Sequence, residues 1–357
     1  MKSALFLVFA AGLTSAQFER GSSVTPATGQ TGQPIDGLSA EEQATFANGR
    51  KLFSKAWAAE GKAFFNSNSC LTCHSEPNFG GFSPSPFNHV FFVEDKKNPG
   101  GMGTFSWLEQ NSGRLVGQRL PFGDYEVRKS QPLYGVGLLE AIPASEILKR
   151  ADPSDANKDG VSGRALMVGD QIGRFGWKAN VPSVLEFTKN AFHAEIGLTI
   201  GKGKGSNLLS ADHVKTVSTM TRLLAPPQAK NVVEAGKELF MKIGCASCHT
   251  PELQTGDTDL PALKNKKIAP YSDMLLHDVA RGKPTLTTSG IASRREYRTP
   301  PLWGIGSIDG PYFHDGSTKT LEEAVDRHEG EALSIRDKYR KLGATDKKLL
   351  LGFLKGL

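Results

Sequence analysis

The chain has 357 residues, 38% of them hydrophobic and 8% aromatic, which suits two or three packed domains, while 39 glycines and 20 prolines require many loops. Its formal charge of +6 is spread along the sequence, so the clustered basic footprint of a nucleic-acid binder is missing. Beyond the first residues no apolar run is long enough to span a bilayer, so no integral membrane segment is expected once the leader is removed.

Met1 to Ala16 has Lys2, an apolar run from Ala4 to Leu13, and small residues Thr14-Ser15-Ala16. This is the pattern of a secretory signal peptide over residues 1–16, and it predicts a periplasmic or secreted protein. Residues 17–38, rich in Ser, Thr, Gly, Gln and Pro, read as a flexible linker. Ser39 and Glu42 have capping-box spacing, and Phe46, Leu52, Phe53 and Trp57 recur at helical intervals, so a helix is expected from Ala40 to about Ala58.

Cys70-Leu71-Thr72-Cys73-His74 follows. C-x-x-C-H is the attachment pattern of a c-type haem: two thiols add across the vinyl groups and the adjacent imidazole binds iron. The pattern returns at Cys245-Ala246-Ser247-Cys248-His249, and the two copies use all four cysteines of the chain. Two covalently bound haem c groups are therefore expected, with no disulfide. Gly49-Arg50-Lys51-Leu52-Phe53 also repeats as Gly236-Lys237-Glu238-Leu239-Phe240 before the second motif. The repeat predicts a mainly α fold of two cytochrome c-like domains, residues 39–227 and 228–357, with loop-rich insertions in the first.

Ser75 to Pro86 is a loop by composition, and the stretch to about Arg128, with short apolar alternations and many turn residues, fits a small hairpin or irregular structure. A short helix is expected over Ala144 to Arg150. Asp155, Asn157 and Asp159, followed by Gly160, begin like a calcium loop, but no Glu stands at its twelfth position. A plain Asx-rich turn fits the same residues. Further helices are expected at about Pro182 to Glu195, Ser210 to Leu224, Leu321 to His328 and Asp346 to Leu357. Ala225-Pro226-Pro227 marks the domain boundary. Of eight histidines, His74 and His249 are the proximal ligands by motif; spacing alone does not choose a distal ligand among His89, His193, His213, His277, His314 and His328.

Several stretches resemble known di-haem enzymes. Arg298-Thr299-Pro300-Pro301-Leu302-Trp303-Gly304, Pro311-Tyr312-Phe313-His314-Asp315-Gly316-Ser317 and Thr320-Leu321-Glu322-Glu323-Ala324-Val325 resemble the second domain of bacterial di-haem cytochrome c peroxidases and the methylamine-utilisation di-haem enzyme. Gly137 to Pro143, Asp159 to Arg164, Gly173 to Ala179, Leu224 to Pro227 and Tyr271 to Asp278 extend a closer resemblance, to the di-haem oxidoreductases also called thiol oxidoreductases. It covers nearly all of the chain after the leader.

The resemblance implies a peroxidase-type oxidoreductase in which the second haem relays electrons to a peroxide-reactive first haem. The electrons would come from a small donor such as a cytochrome or cupredoxin. In the peroxidases a distal Met follows the Leu-Glu-Glu-Ala-Val-like helix; the matching residue here is His328, which implies bis-His ligation of the second iron and a lower potential. Met274 is an alternative ligand. His89 lies one residue short of the displaceable distal His near the first haem. Glu195 is the implied proton-handling carboxylate, standing where the relatives carry an inter-haem Trp, and Trp177 is either the bridge in its place or a core aromatic. His314 and Asp315 would either order the second haem's surroundings or form a turn and helix cap. The competing reading is an electron-transfer or redox-sensing cytochrome with both irons six-coordinate.

Overall fold

The computed structural model describes residues 25–57, 67–83, 89–94, 102–104, 125–201, 208–280, 292–293 and 295–357, with backbone alone over 89–94, 102–104 and 125–127. The leader at 1–16 and the first residues after it lie outside the described residues. Among these, nine α-helices carry the architecture: α1 (Ala40–Phe53), α2 (Val136–Glu140), α3 (Ala144–Leu148), α4 (Val184–Ala194), α5 (Ala211–Arg222), α6 (Glu234–Ile243), α7 (Leu321–Asp326), α8 (Leu333–Arg340) and α9 (Ala344–Gly356). The strands are short. The longest, His89–Glu94, pairs antiparallel with Met102–Thr104 on one side and Tyr125–Lys129 on the other. Among the described residues no helix is long and apolar enough to cross a membrane.

Helix α1 starts where its sequence demands. The Ser39 hydroxyl accepts from the Glu42 amide and the Glu42 carboxylate accepts from the Ser39 amide, which satisfies two of the four N–H groups left open at a helix start. Thr320 and Glu323 do the same for α7. Helix α1 ends at Phe53 rather than near Ala58. Trp57 lies beyond it, fully buried, with its ring edge-on to Phe192.

The internal repeat is visible in the packing. Gly49 lets α1 approach α5 so closely that a Cβ there would lie 2.3 Å from the Met220 Cβ. Gly236 does the same for α6 and α9, where a Cβ would lie 2.1 Å from the Leu349 carbonyl oxygen. Each crossing sets the following phenylalanine beside a motif histidine: ring centroids are 6.2 Å apart for Phe53 and His74, and 6.4 Å for Phe240 and His249.

Two cores result. One joins α1, α2, α4 and α5 (Phe46, Phe53, Leu138, Phe192, Val217, Leu224) with Leu253, Leu263, Met274 and Trp303 from the second half of the chain. The other joins α6 to α9 around Phe240, Tyr339, Leu350 and Phe353. The segment 253–275 is thus built into the first core, although it follows Pro227 in sequence.

The expected flexible linker is corrected from residue 25 onward. Thr25–Pro26 pairs in parallel with Lys266–Lys267, the Ile35 amide donates to the Leu223 carbonyl, and Ala27 and Ile35 are buried. Two apolar anchors and a row of backbone bonds fix a stretch whose composition alone signals freedom.

Candidate functional site

Each C-x-x-C-H motif begins with a single tight helical turn, Cys70–Thr72 and Cys245–Ser247. All four cysteines are free of disulfides. The turns face one mostly apolar cavity of about 490 Å³, lined by Cys70, Cys73 and His74 at one end and Cys245, Cys248 and His249 at the other.

The two motif histidines are held alike. The His74 Nδ1 donates to the Gly81 carbonyl at 2.9 Å, and the His249 Nδ1 to the Tyr271 carbonyl at 2.9 Å. A carbonyl oxygen only accepts, so each Nδ1 carries the proton and each Nε2 keeps its lone pair for a metal. Burial lowers the pKa of both rings, that of His249 to about 4, which keeps them neutral and ready to ligate.

His328 follows α7 and is oriented the same way. Its Nδ1 donates to the Ala324 carbonyl at 2.8 Å, and its ring stands edge-on to Phe313 at 5.7 Å. It lines the cavity, and burial lowers its pKa. Arg336 fixes the following backbone, donating to the His328 carbonyl at 3.1 Å and to Glu329 at 2.8 Å.

The other histidines separate cleanly. His193 is exposed on α4. His213 packs on Trp57, centroids 6.0 Å apart. His314 stacks on Tyr297 at 3.7 Å, and Trp177 lies 6.3 Å from His314. His89 sits in a strand paired with Lys129, and its side chain lies outside the described residues. His277 is bound on both sides: Nε2 to Asp273 and Nδ1 to Glu331, each at 2.8 Å, with the Cys248 sulfur 3.5 Å away. Two carboxylates require two N–H groups, so His277 is an imidazolium. Burial opposes its charge, but Asp273, the Cys248 sulfur and Glu331 outweigh burial and raise its pKa.

Glu195 caps the end of α4 and lines the cavity beside Cys70 and Cys73, with its carbonyl accepting from the Ser67 amide at 3.1 Å. Trp177 also lines the cavity, its indole Nε1 donating to the Lys129 carbonyl at 2.7 Å. Met274 is buried, its sulfur 3.7 Å from an Arg298 nitrogen. Asp315 accepts from the Ser317 amide at 3.0 Å and pairs with Arg327 at 3.0 Å.

In the 155–160 loop the oxygens serve the loop's own backbone. Asp155 accepts from Gly160 at 3.2 Å, Asn157 from Asp159 at 3.0 Å, and Asp159 from Val161 at 2.8 Å. That is the bonding of Asx turns.

Sequence reasoning missed Asp273, Glu331, Arg336 and Lys129 as parts of this site. Only one signal pointed at any of them: Asp273 and His277 are four residues apart, both within the Tyr271–Asp278 stretch.

The residues fit a c-type haem at each motif. Paired sulfurs adjoin an imidazole with a free Nε2, and an apolar cavity connects the two ends. Comparison with known proteins agrees. The family described as "Di-haem oxidoreductase, putative peroxidase" matches residues 109–202 and 201–357. Methylamine utilization protein MauG of Methylorubrum extorquens (strain AM1) is 31% identical over 127 residues, 32% of this chain and 31% of that protein's length. Two solved structures are similar at low identity. A MauG-like protein associated with microbial copper homeostasis matches at 17% identity and a TM-score of 0.49, over 96% of this chain and 95% of the other. Hydrazine synthase of Kuenenia stuttgartiensis matches at 16% and 0.46, over 98% and 100%.

Proposed function

The chain belongs to the di-haem oxidoreductase family, and from that membership we propose that it is an exported di-haem c-type cytochrome of peroxidase type, with a closed second site and an open first site. The observation that carries the reading is the inequality of the two ends of the cavity. At the second end, His249 and His328 both keep a free Nε2 with Nδ1 tied to a carbonyl. At the first, α4 lines the cavity through Val184, Thr188, Asn190, Ala191 and Phe192, with Glu195 at its end, and brings no histidine or methionine to it.

Cys70 and Cys73 with His74, and Cys245 and Cys248 with His249, would hold the two haems. When bound, the haems supply one-electron storage and, at an iron with a free face, the place where a peroxide O–O bond breaks.

The protein's own part is orientation, exclusion of water and proton handling. Gly81 and Tyr271 fix the planes of the two proximal rings. Ala324 and Arg336 hold His328 in place, so the second site resists exchange of its ligand. The apolar α4 residues Val184, Ala191 and Phe192 help keep bulk water out of the cavity. The Glu195 carboxyl is the group placed to hold and return a proton at that end. Trp177, His314, Phe313 and His328 make successive ring contacts between the two ends, at 6.3, 4.8 and 5.7 Å. These rings are the proposed path for electrons arriving from a small donor protein. Export is part of the proposal, since the leader pattern and c-type attachment chemistry agree.

The test is turnover of hydrogen peroxide with a chemically reduced donor, run on protein shown to carry two covalent haems. Peroxide-dependent reoxidation that His328→Met alters and Glu195→Gln slows supports the reading. Fully loaded protein with no peroxide-dependent reoxidation would leave an electron carrier or redox sensor.

A further inference from the structure

Among the described residues, two buried cations near the motif sites donate their hydrogen bonds to neutral acceptors. Lys129 is 6% exposed and Arg298 4% exposed, and both line the cavity. The Lys129 ammonium donates to the Pro311 carbonyl and lies 4.4 Å from the Phe82 ring centre. Arg298 donates to the carbonyls of Gly176 and Thr299 at 3.0 and 3.1 Å and to the Gln131 side-chain oxygen at 3.1 Å, with the Met274 sulfur at 3.7 Å. Among the other buried cations that line the cavity, Arg336 by contrast pairs with the Glu329 carboxylate at 2.8 Å.

A charge taken from water without a counter-charge is strongly disfavoured. Burial alone lowers Lys129 to about 8; for Arg298 burial, partly offset by Asp273, leaves about 10. Both are groups that an arriving anion would restore. They also share a frame. The Trp177 indole donates to the Lys129 carbonyl, the Arg298 amide donates to the Trp177 carbonyl at 2.8 Å, and Gln131, bonded to Arg298, is two residues from Lys129. The cations therefore flank Trp177 where the two halves of the chain meet.

We propose that Lys129 and Arg298 form a carboxylate seat that receives propionate groups of the bound haems. The assignment rests on the di-haem reading above. Each haem carries two carboxylates into a mostly apolar cavity, and these two side chains bring cationic donors there that are hydrogen-bonded to no carboxylate among the described residues. A guanidinium is suited to grip a carboxylate with two parallel bonds, and an ammonium to hold one as a point charge. The seat makes Lys129 and Arg298 haem-binding residues in addition to the motif sulfurs and imidazoles.

The experiment uses the haem-loaded chain and its Lys129→Met, Lys129→Arg and Arg298→Lys variants. Three readouts are taken: haem per chain by pyridine haemochrome, the propionate bending band in resonance Raman spectra, and both midpoint potentials by spectroelectrochemistry. Lys129→Met keeps two haems, shifts the propionate band and lowers a midpoint potential, because removing a nearby cation favours the ferric state. Lys129→Arg returns the potential towards wild type. Arg298→Lys, which keeps the charge and loses the fork, shifts the band with little change in potential. A role in packing alone would lower the melting temperature and leave band and potentials in place. Fully loaded Lys129→Met and Arg298→Lys proteins with wild-type bands and potentials overturn the seat. So does wild-type protein whose spectrum responds to added acetate at this site, since the seat would then serve a diffusible carboxylate. A wild-type chain without two covalent haems defeats the family-based reading instead.

Discussion

Replacing Glu331 with leucine should loosen the joint between the two halves of the chain. The Glu331 carboxylate accepts from the Ser162 amide at 3.0 Å, the Ser162 hydroxyl at 2.7 Å, the Asp278 amide at 3.1 Å and the His277 imidazolium at 2.8 Å. It therefore ties a loop of the first half to a strand of the second, three residues past His328. Breaking a buried ion pair by removing one partner costs about 3–5 kcal/mol. The Glu331 side chain is 15% exposed and His277 keeps Asp273, so the low end applies, about 3 kcal/mol. At roughly 2–4 °C per kcal/mol for a large domain, the melting temperature should fall by about 6–12 °C. Glu331→Gln keeps the shape and loses the charge, and should cost less.

The effect should depend on pH in a defined sense. Burial resists the Glu331 charge, but His277 and the amide donors outweigh it and hold the carboxyl down at about 2. A lowered acid stabilises the fold above its ordinary pKa, near 4.3, and that gain fades as pH falls towards the folded value. His277 is shifted upward. Its contribution is whole below the ordinary histidine pKa of about 6.5 and is lost as pH rises through the folded value. The gap between wild type and Glu331→Gln in thermal melts followed by circular dichroism should thus be widest between about pH 4.5 and 6.5. A leucine variant melting within about 2 °C of wild type, or a gap that is flat with pH, would refute the assignment of this cluster as a buried charged network.

Gly236→Ala should destabilise the second domain by about 3 kcal/mol or more, because its Cβ would meet the Leu349 carbonyl oxygen at 2.1 Å; denaturant melts check it, and a near-neutral result would mean α6 and α9 can separate cheaply. His328→Met should raise the potential of one haem and leave two haems attached; unchanged potentials and spectra would remove His328 as a ligand. Calcium at about 100 times a binding constant would add about 2.7 kcal/mol to a protein that bound it. Because the 155–160 oxygens already serve the loop's backbone, no rise in melting temperature is expected, and a rise would reinstate Asp155, Asn157 and Asp159 as calcium ligands.

The two C-x-x-C-H turns were legible because they are local. A turn of five residues holds every group that C-x-x-C-H needs, so spacing alone is informative at Cys70–His74 and Cys245–His249. The repeat of Gly49 and Phe53 in Gly236 and Phe240 was legible for the same reason, and the structure gives it a cause: glycine for the helix crossing, phenylalanine against the imidazole. The helix start at Ser39 follows from a cap within four residues.

What depends on distant partners was hidden. His277 reads as one histidine among eight until Glu331 arrives from 54 residues away. Lys129 and Arg298 look like ordinary surface charges until the fold buries both beside Trp177. Residues 25–38 have the composition of a linker, and only the pairing of Thr25 with Lys266 across the chain reveals an ordered strap. Helix α8 escaped notice because its apolar positions, Leu333, Ile335 and Tyr339, are too few to set a period.

The inequality of the two sites is tested most directly by electron paramagnetic resonance of the fully oxidised, two-haem protein, with and without cyanide. The account predicts one low-spin signal of bis-histidine type, indifferent to cyanide and altered in His328→Met. It also predicts one high-spin signal that cyanide converts to low spin. Two low-spin signals, both indifferent to cyanide, would contradict an open first site.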